Sequence, residues 1–403
     1  MECVMSKKIL LLGTLISAFL TAGILCAHKA REPNLFSADA VRAKSQISKL
    51  PPGFFAINNP GSLPLPTSGY RIYLMGEAHG HRENEVIFLS YLSHLYKDAG
   101  LRDVVLEEDQ VYDEEAQAFV QGRRNDLPEG LCLRANILEG LRKFNLSLSL
   151  PQQIRVHLVD IDSPAQAIRQ HILHLMKRVG KTAEDLKFPG EQNFNSAGMS
   201  LFIEQLRSLT SDTKILSELR TVKQSLLAYD DGFRVHTGDV EGNSLHPDRE
   251  EAITENILDL LKTVAVKTPV LGLYGEMHIR KGMVTLHNPP IWDHFTHVPM
   301  ASRLEKAGIK VYRFNCYPLS GSFHWRWGLV EMRTDKTEQF RLGSGDTLPN
   351  IFKRVPDCRF LYVDFSSGVK MLQGVEEFSR LFDSCLFIRK ATPIESRCPS
   401  LPE

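Results

Sequence analysis

Short apolar runs recur along the chain from Tyr70 onward, and most of them end at polar residues or glycine. Runs of this length that are bounded by turn residues are typical of buried strands. The pattern predicts strands at residues 71–75, 104–106, 154–159, 270–274, 310–314 and 360–365. Between the first two, apolar residues recur at helical spacing from Val86 to Tyr96, and Gly100 is expected to end that helix.

Buried strands separated by helices predict an α/β fold, with a mainly parallel central sheet and helices on both faces. Residues from about 165 to 265 are predominantly helical in pattern, with breaks at Pro189-Gly190 and Asp230-Asp231-Gly232. We predict that they form a helical insertion over the carboxyl ends of the strands. Ligands bind at these ends in sheets of this kind.

The first thirty residues differ from the rest of the chain. Lys7 and Lys8 precede an uncharged run from Ile9 to Ala27. This layout is typical of a secretory signal, and the run is also just long enough to span a bilayer. The predicted organisation is a signal peptide or N-terminal membrane anchor (1–30), a linker or surface arm (31–66), and a catalytic domain (67–403). We therefore expect an exported protein, periplasmic or secreted, with membrane anchoring through the N-terminal segment as the alternative.

Composition limits the partners. The chain is 43% hydrophobic and 24% charged, as in globular proteins. Its 48 lysines and arginines equal its 48 aspartates and glutamates, so the formal net charge is zero. Without an overall basic field the chain is not expected to bind nucleic acid, and we expect a small-molecule or peptide substrate.

The cysteines do not indicate a structural zinc site, because no CxxC or Cys/His spacing occurs. In an oxidising compartment we expect one or two disulfides near the C-terminus and an unpaired thiol. The pairing stays open among five cysteines: Cys132, Cys316, Cys358, Cys385 and Cys398.

The densest polar cluster follows the first predicted strand and reads Gly76-Glu77-Ala78-His79-Gly80-His81-Arg82-Glu83. Glu77 and His79 are two residues apart, so in an extended turn their side chains point the same way. A carboxylate beside an imidazole supplies a general base with its orienting group, or two metal ligands. The alternative is a polar loop that only starts a helix.

A second element with the same internal spacing, Gly275-Glu276-Met277-His278, follows the fourth strand. The second predicted strand ends at Glu107-Glu108 and the third ends at Asp160, with Asp162 as an alternative to Asp160. One of the two glutamates is expected in the site. Arg249 precedes a helix and is predicted to bind an oxyanion or the carboxylates, although a surface salt bridge would also account for it.

Two other sites have weaker support. No Gly-x-Ser-x-Gly element exists for a serine nucleophile, and Gly343-Ser344-Gly345 lies late in a polar loop. Possible metal ligands also occur at His287, Asp293, His294 and His297, but the spacing of these residues matches no specific metal-binding motif.

From Tyr70 to Pro393 these motifs together resemble the erythromycin esterase family, which belongs to a wider group with ChaN-like haem-binding lipoproteins and Tiki-type proteases. Residues 76–83 resemble the family's Gly-Glu-x-Thr-His-Gly-x-x-Glu motif. Leu106-Glu107-Glu108-Asp109 resembles the family's Leu-Glu-x-Asp strand end, and this match indicates Glu107 as the site residue of the two glutamates. The first motif lacks the threonine, and Gly275-Glu276 stands where the esterases usually have His-Asn. Both departures give Gly-x-x-His, the paired signature of the Tiki-type metal-dependent proteases.

The resemblance implies hydrolysis of an ester or amide bond by water that His79 deprotonates, with no cofactor required. It implies catalytic roles for Glu77, His79, Glu83, Glu107 and His278, and substrate binding by Arg82, Asp160, Arg249 and Glu276. One alternative is a divalent metal ion held by His79, Glu77, His278 and Glu276, as in a Tiki-like protease. Another is a ChaN-like protein that binds haem or metal without catalysis.

Overall fold

The computed structural model describes residues 50–163, 165–230, 247–288, 292–325, 328–331, 339–373 and 376–395. The described residues all lie in one compact unit. The predicted targeting segment (1–30) and residues 31–49 of the predicted linker lie outside the described residues, as does most of the second predicted helix break, 231–232. Within the described ranges, no helix is both long enough and apolar enough to cross a membrane.

Strands and helices alternate through the described chain. The strands are β1 (Phe54–Ile57), β2 (Ile72–Glu77), β3 (Asp103–Asp109), β4 (Arg155–Asp160), β5 (Val270–Gly275), β6 (Val284–Asn288), β7 (Trp292–His297), β8 (Val311–Pro318), β9 (Ser322–Trp325), β10 (Gly328–Glu331), β11 (Phe340–Leu342), β12 (Phe360–Asp364), β13 (Met371–Gln373), β14 (Glu376–Glu377) and β15 (Ser384–Ile388). The α-helices are α1 (Arg82–Ala99), α2 (Asp113–Val120), α3 (Ala135–Asn145), α4 (Ala165–Arg178), α5 (Ala183–Leu186), α6 (Ser196–Ser208), α7 (Thr213–Asp230), α8 (Pro247–Thr263), α9 (Glu276–Ile279), α10 (Met300–Lys306) and α11 (Leu348–Arg354).

The central sheet has eight strands in the order β1-β12-β15-β8-β2-β5-β3-β4. The neighbouring pairs from β15 to β4 are parallel. The pairs β1–β12 and β12–β15 are antiparallel. Every strand predicted from an apolar run belongs to this sheet, so the predicted α/β fold with a mainly parallel sheet is confirmed. The antiparallel end was not predicted, and β1 lies within the stretch interpreted as linker or arm.

Side chains alternate along the strands between two cores, one on each face of the sheet. On β2, Tyr73 and Met75 join the core that includes residues of α1, α2 and α3. Ile72 and Leu74 join the core that includes residues of α8, α10 and α11. This alternation is the two-residue period of a strand. Because each face of β2 packs against a core, the strand is apolar on both faces.

The predicted insertion is helical where it is described. Helices α4, α6 and α7 share a separate apolar core. Helix α8 packs against α7 and also against β4, so it belongs to the layer that covers the sheet. The position of the whole insertion over the strand ends stays a prediction.

The described cysteines in the C-terminal part of the chain take no part in a disulfide. Cys316, Cys358 and Cys385 are buried free thiols. Cys316 and Cys385 lie on neighbouring strands but belong to the cores on opposite faces of the sheet, so their sulfur atoms do not meet. Cys132 is disulfide-bonded, and Cys398 lies outside the described residues.

Candidate active site

Four polar strand ends lie side by side, because β2, β5, β3 and β4 are consecutive in the sheet. Glu77 ends β2, Gly275 ends β5, Glu107 lies near the end of β3, and Asp160 ends β4. The strands are parallel, so all four ends are at the same edge. This edge is where open α/β sheets bind their ligands.

The first Gly-Glu-x-His element forms a carboxylate–imidazole pair. His79 Nδ1 lies 2.8 Å from Glu77 Oε1. The glutamate is buried, whereas the side chain of His79 is 30% exposed. Asn84 of α1 holds the other oxygen, donating to Glu77 Oε2 at 3.1 Å and to the carbonyl of Ala78 at 2.7 Å. Because the Glu77 carboxylate can only accept, this pairing suits the tautomer with the proton on Nδ1, in which Nε2 is the acceptor that a general base requires.

Arg134 completes the site around Glu77, and no sequence pattern predicts it. It ends a 3₁₀ segment, Glu129–Arg134, and its Nη1 donates to Glu77 Oε1 while its Nε donates to Glu108 Oε1 at 2.9 Å. Burial alone would raise the pKa of Glu77, but Arg134 and His79 together lower it to about 2. Glu77 therefore stays ionised and can orient the imidazole. No motif surrounds Arg134 in the sequence to indicate this role.

Glu107 and Glu108 are consecutive residues with different partners. A register irregularity in the β3–β4 pairing falls between Leu106 and Asp109, where the two glutamates lie. Glu108 pairs with Arg134, whereas Glu107 pairs with Arg249 and His278. Successive side chains on a strand point to opposite faces, which accounts for the division. The structure thus brings Glu107 to the end of β5, as the sequence analysis expected of one of the two.

His278 of the second element is enclosed by two carboxylates. Its Nε2 lies 3.1 Å from Glu107 Oε1, and its Nδ1 lies 2.5 Å from Glu250 Oε1. Burial alone would lower the pKa of His278, but Glu250 and Glu107 raise it to about 10. The ring is therefore an imidazolium at neutral pH and has no free lone pair. His278 is suited to balancing charge, not to removing a proton.

Glu250 is the second residue that the sequence analysis missed. It is fully buried in α8, and its Oε2 accepts a hydrogen bond of 2.6 Å from the backbone N–H of Met300. In the sequence it lies between Arg249 and Glu251 on a helix start, where a glutamate is commonly solvent-exposed. Only the fold shows that it faces His278.

Arg249 joins two strand ends. Its Nε and Nη2 donate to Asp160 at 2.9 and 2.5 Å, and its Nη2 also donates to Glu107 at 2.6 Å. Burial alone would raise the pKa of Glu107, but the charges of His278 and Arg249 hold it well below its ordinary value. Asp162, the alternate to Asp160, instead bonds to His171 and to the backbone N–H of Val111.

Gly275, the last residue of β5, lies between the cluster around Glu77 and the cluster around His278. Its N–H donates to Glu107 Oε2 at 2.5 Å. A β-carbon placed on this glycine would lie 3.3 Å from His79 Nε2, 3.5 Å from Glu107 Oε2 and 3.6 Å from His278 Cδ2. The two histidines of the repeated motif therefore both lie beside the end of β5.

The glutamates of the two motifs are not equivalent. Glu276 turns away from His278 and bonds to Arg280 at 2.9 Å and to Asn315 at 3.0 Å. The first motif leaves its strand in a non-helical turn at His79 and Gly80, whereas Glu276–Ile279 is a helical turn. Residues two apart share a face in a strand but lie about 200° apart around a helix, so the same spacing gives different geometry.

Glu83 and Arg82 have contacts other than the expected ones. The Glu83 carboxylate accepts hydrogen bonds from Arg359 at 2.6 Å and from the backbone and side chain of Thr392 at 2.9 and 2.7 Å. It thus holds the C-terminal segment against the start of α1. The side chain of Arg82 is exposed, and its backbone N–H donates to Thr392.

The side chains that could bind a metal ion in this region largely form ion pairs with one another. Arg134 binds Glu77, Arg249 binds Glu107 and Asp160, and both ring nitrogens of His278 face carboxylates. Among the described residues, no group of three or more His, Cys, Asp or Glu side chains is arranged to hold a metal ion. The side chains of His287, Asp293 and His294 lie outside the described residues.

Three solved structures share the fold over most of their length. One is a Bacillus cereus protein, 14% identical, covering 83% of this chain and 91% of its own, with a TM-score of 0.54. The second is a succinoglycan biosynthesis protein, 12% identical, covering 86% and 96%, with a TM-score of 0.58. The third is a mutant of the erythromycin esterase EreC in its open conformation, 12% identical, covering 83% and 93%, with a TM-score of 0.58. No family model and no curated protein matches the chain.

Proposed function

We propose that this protein is an exported hydrolase of ester bonds that activates water at His79 without a metal ion. The observation that carries the proposal is the pairing of His79 Nδ1 with the buried carboxylate of Glu77, while Nε2 lies on the side of Gly275 at the end of β5. The shared fold with an erythromycin esterase supports a hydrolase of this broad class. Export rests on the apolar run after Lys7 and Lys8.

The reaction begins when His79 Nε2 removes a proton from water as the water oxygen attacks the ester carbonyl carbon. Glu77 stabilises the imidazolium that forms, and Arg134 keeps Glu77 ionised. When the tetrahedral intermediate collapses, His79 returns the proton to the departing alkoxide, and an acid and an alcohol leave. General-base catalysis of this kind contributes about a hundred- to ten-thousandfold.

A metal-independent site is proposed because the charges of the carboxylates are already balanced by buried cations. Arg134, Arg249 and the His278 imidazolium lie among Glu77, Glu107, Asp160 and Glu250. A divalent ion bound there would be repelled by these cations and would have to displace their hydrogen bonds.

The test uses the purified mature chain with activated esters, activated amides and peptides, each assayed with and without prior chelation. We expect turnover of esters that survives chelation. Peptide cleavage that is lost on chelation and restored by a divalent ion would instead support the metal-dependent protease. Tight haem or metal binding with no turnover of any substrate would support the non-enzymatic binding protein.

A further inference from the structure

His79 lies in a turn between β2 and α1, and Gly80 follows it. Gly80 has a φ of 84°, a conformation that favours glycine, and a β-carbon on it would collide with the carbonyl oxygen of His324. The Gly80 carbonyl accepts hydrogen bonds of 3.1 Å from the backbone N–H groups of His324 in β9 and of Ile394. The position of the turn is therefore set by two segments that are distant in the sequence, β9 and residues 391–394, which we call the C-terminal segment.

The C-terminal segment pairs with the residues that follow Gly80. The Arg82 backbone N–H donates to the Thr392 carbonyl at 2.9 Å, and His81 and Pro393 face each other in an antiparallel bridge. With the bond to the Gly80 carbonyl, these contacts form a short antiparallel pairing. The pairing begins directly after the proposed general base, so a shift of the C-terminal segment would move the turn that carries it.

Glu83 fixes the C-terminal segment through a single residue. Its Oε2 accepts from the Thr392 backbone N–H at 2.9 Å, and its Oε1 accepts from the Thr392 hydroxyl at 2.7 Å. Arg359 donates to Oε1 at 2.6 Å. The Glu83 side chain is 0% exposed, so its carboxylate cannot reach a substrate from this position. These contacts favour a role in positioning over the catalytic role that the family resemblance implies.

We propose that Glu83 is a positioning residue, which holds the C-terminal segment and through it the turn that carries His79. The inference rests on the proposed function, because it assigns a kinetic effect to the placement of the general base. Glu83 anchors the N–H and hydroxyl of Thr392, and the carbonyl of Thr392 in turn binds the backbone of Arg82 at the start of α1. A catalytic group that is misplaced by about 1 Å can lose about a hundredfold in rate.

The test compares Glu83→Ala with Glu83→Gln on an activated ester. Alanine removes all three hydrogen bonds, so we expect kcat to fall about a hundredfold while KM changes little. The glutamine amide oxygen can still accept from the Thr392 N–H, although glutamine supplies no carboxylate. The kcat of Glu83→Gln should therefore be at least about tenfold higher than that of Glu83→Ala.

Asp103→Ala is the matched control. Asp103 is also a fully buried carboxylate, and it accepts from Arg155 at 2.7 Å and pairs with His157 at 2.9 Å. It begins β3, at the opposite end of the strand from Glu107, so its loss should destabilise the sheet away from the proposed site. We expect Asp103→Ala to lower the denaturant midpoint of unfolding and to keep the wild-type kcat. A kcat that fell as far in this control as in Glu83→Ala would show that general destabilisation accounts for the loss, and would overturn the inference.

Two results with the Glu83 variants would also overturn it. Wild-type kcat in Glu83→Ala would show that the turn keeps its position without Glu83. A Glu83→Gln chain as slow as Glu83→Ala would show that the carboxylate itself takes part in the reaction. If Glu83→Ala does not fold, Glu83→Gln decides alone: a kcat within about tenfold of wild type supports the inference, and a larger loss overturns it.

These measurements separate the inference from the proposed function. An active, His79-dependent esterase that keeps its kcat in Glu83→Ala would leave the function standing and overturn the positioning role. A wild-type chain that hydrolyses no ester would overturn the proposed function, and crystal structures of the variants would then test the inference. The 2.8 Å contact between His79 Nδ1 and Glu77 should persist in Glu83→Gln and be lost in Glu83→Ala, whereas an unchanged contact in both would overturn the positioning role.

Discussion

Removing the two motif histidines one at a time should have very different effects on stability, although a shared tetrapeptide pattern suggests equivalent roles. His79 is partly exposed, and its partner Glu77 is also held by Arg134 and Asn84. His278 is buried, and it is the cation between Glu107 and Glu250. We therefore expect His79→Ala to fold normally and His278→Ala to be strongly destabilised.

The magnitudes follow from burial. Partly exposed ion pairs contribute about 1 kcal/mol or less to the free energy of unfolding, so His79→Ala should cost no more than this. Removing one partner of a buried pair leaves an uncompensated charge and costs about 3–5 kcal/mol, which is the expectation for His278→Ala. A loss of that size is a large part of the total of about 5–15 kcal/mol that stabilises a typical domain.

The assay is denaturant unfolding of the three proteins at neutral pH. In the His278→Ala background, Glu250→Gln should recover part of the loss, because the amide removes one unpaired charge. Equal costs for the two histidine variants, or a cost of about 1 kcal/mol or less for His278→Ala, would refute the assignment of His278 as a buried imidazolium.

The pH dependence gives a second check on the same residue. The pKa of His278 is raised in the folded chain from its ordinary 6.5 to about 10. The stabilisation it contributes is therefore fully present below pH 6.5 and is lost as the pH rises through 10. The stability difference between wild type and His278→Ala should shrink over that interval, and a difference that stays constant to pH 10.5 would contradict the assignment.

Three further predictions concern Arg134, Glu77 and export. Arg134→Met should lower the free energy of unfolding by about 3–5 kcal/mol and remove most of the activity, because it leaves Glu77 and Glu108 buried without a cation. The control is Lys262→Met, which removes an exposed ion pair and should change the free energy of unfolding by less than about 1 kcal/mol. The folded-state pKa of Glu77 is lowered from 4.5 to about 2, so its contribution is present above pH 4.5 and is lost as the pH falls towards 2. Unfolding measured between pH 6 and 3 should show this loss in wild type and not in Glu77→Gln. A reporter fused after residue 40 should appear outside the cytoplasm, and a full-length cytosolic product would contradict export.

The parts of the fold that the sequence predicted are those fixed by local pattern. A strand buried on both faces must be apolar throughout, so the parallel strands β2, β3, β4, β5 and β8 could be recognised from their composition. Their polar ends then mark the edge where ligands bind, which places Glu77, Glu107 and Asp160 near one another. The orienting contact between Glu77 and His79 also follows from a local property, the two-residue period of extended chain.

The parts that the sequence did not predict depend on distant contacts or on local conformation. Arg134 lies 57 residues from Glu77, and Glu250 lies 28 residues from His278, so no motif contains either pair. Glu276 had the right spacing but folds into a helical turn, which directs it to Asn315. Composition could not distinguish an extended turn from a helical one after otherwise similar strands.

The central claim is that His79 activates water for ester hydrolysis, and the most direct measurement is kcat/KM of wild type and His79→Ala on an activated ester. Both proteins should unfold at nearly the same denaturant concentration, so that any difference reports on chemistry. The account predicts a fall of about a hundred- to ten-thousandfold for His79→Ala. A His79→Ala enzyme that folds normally and hydrolyses the ester at the wild-type rate would contradict it.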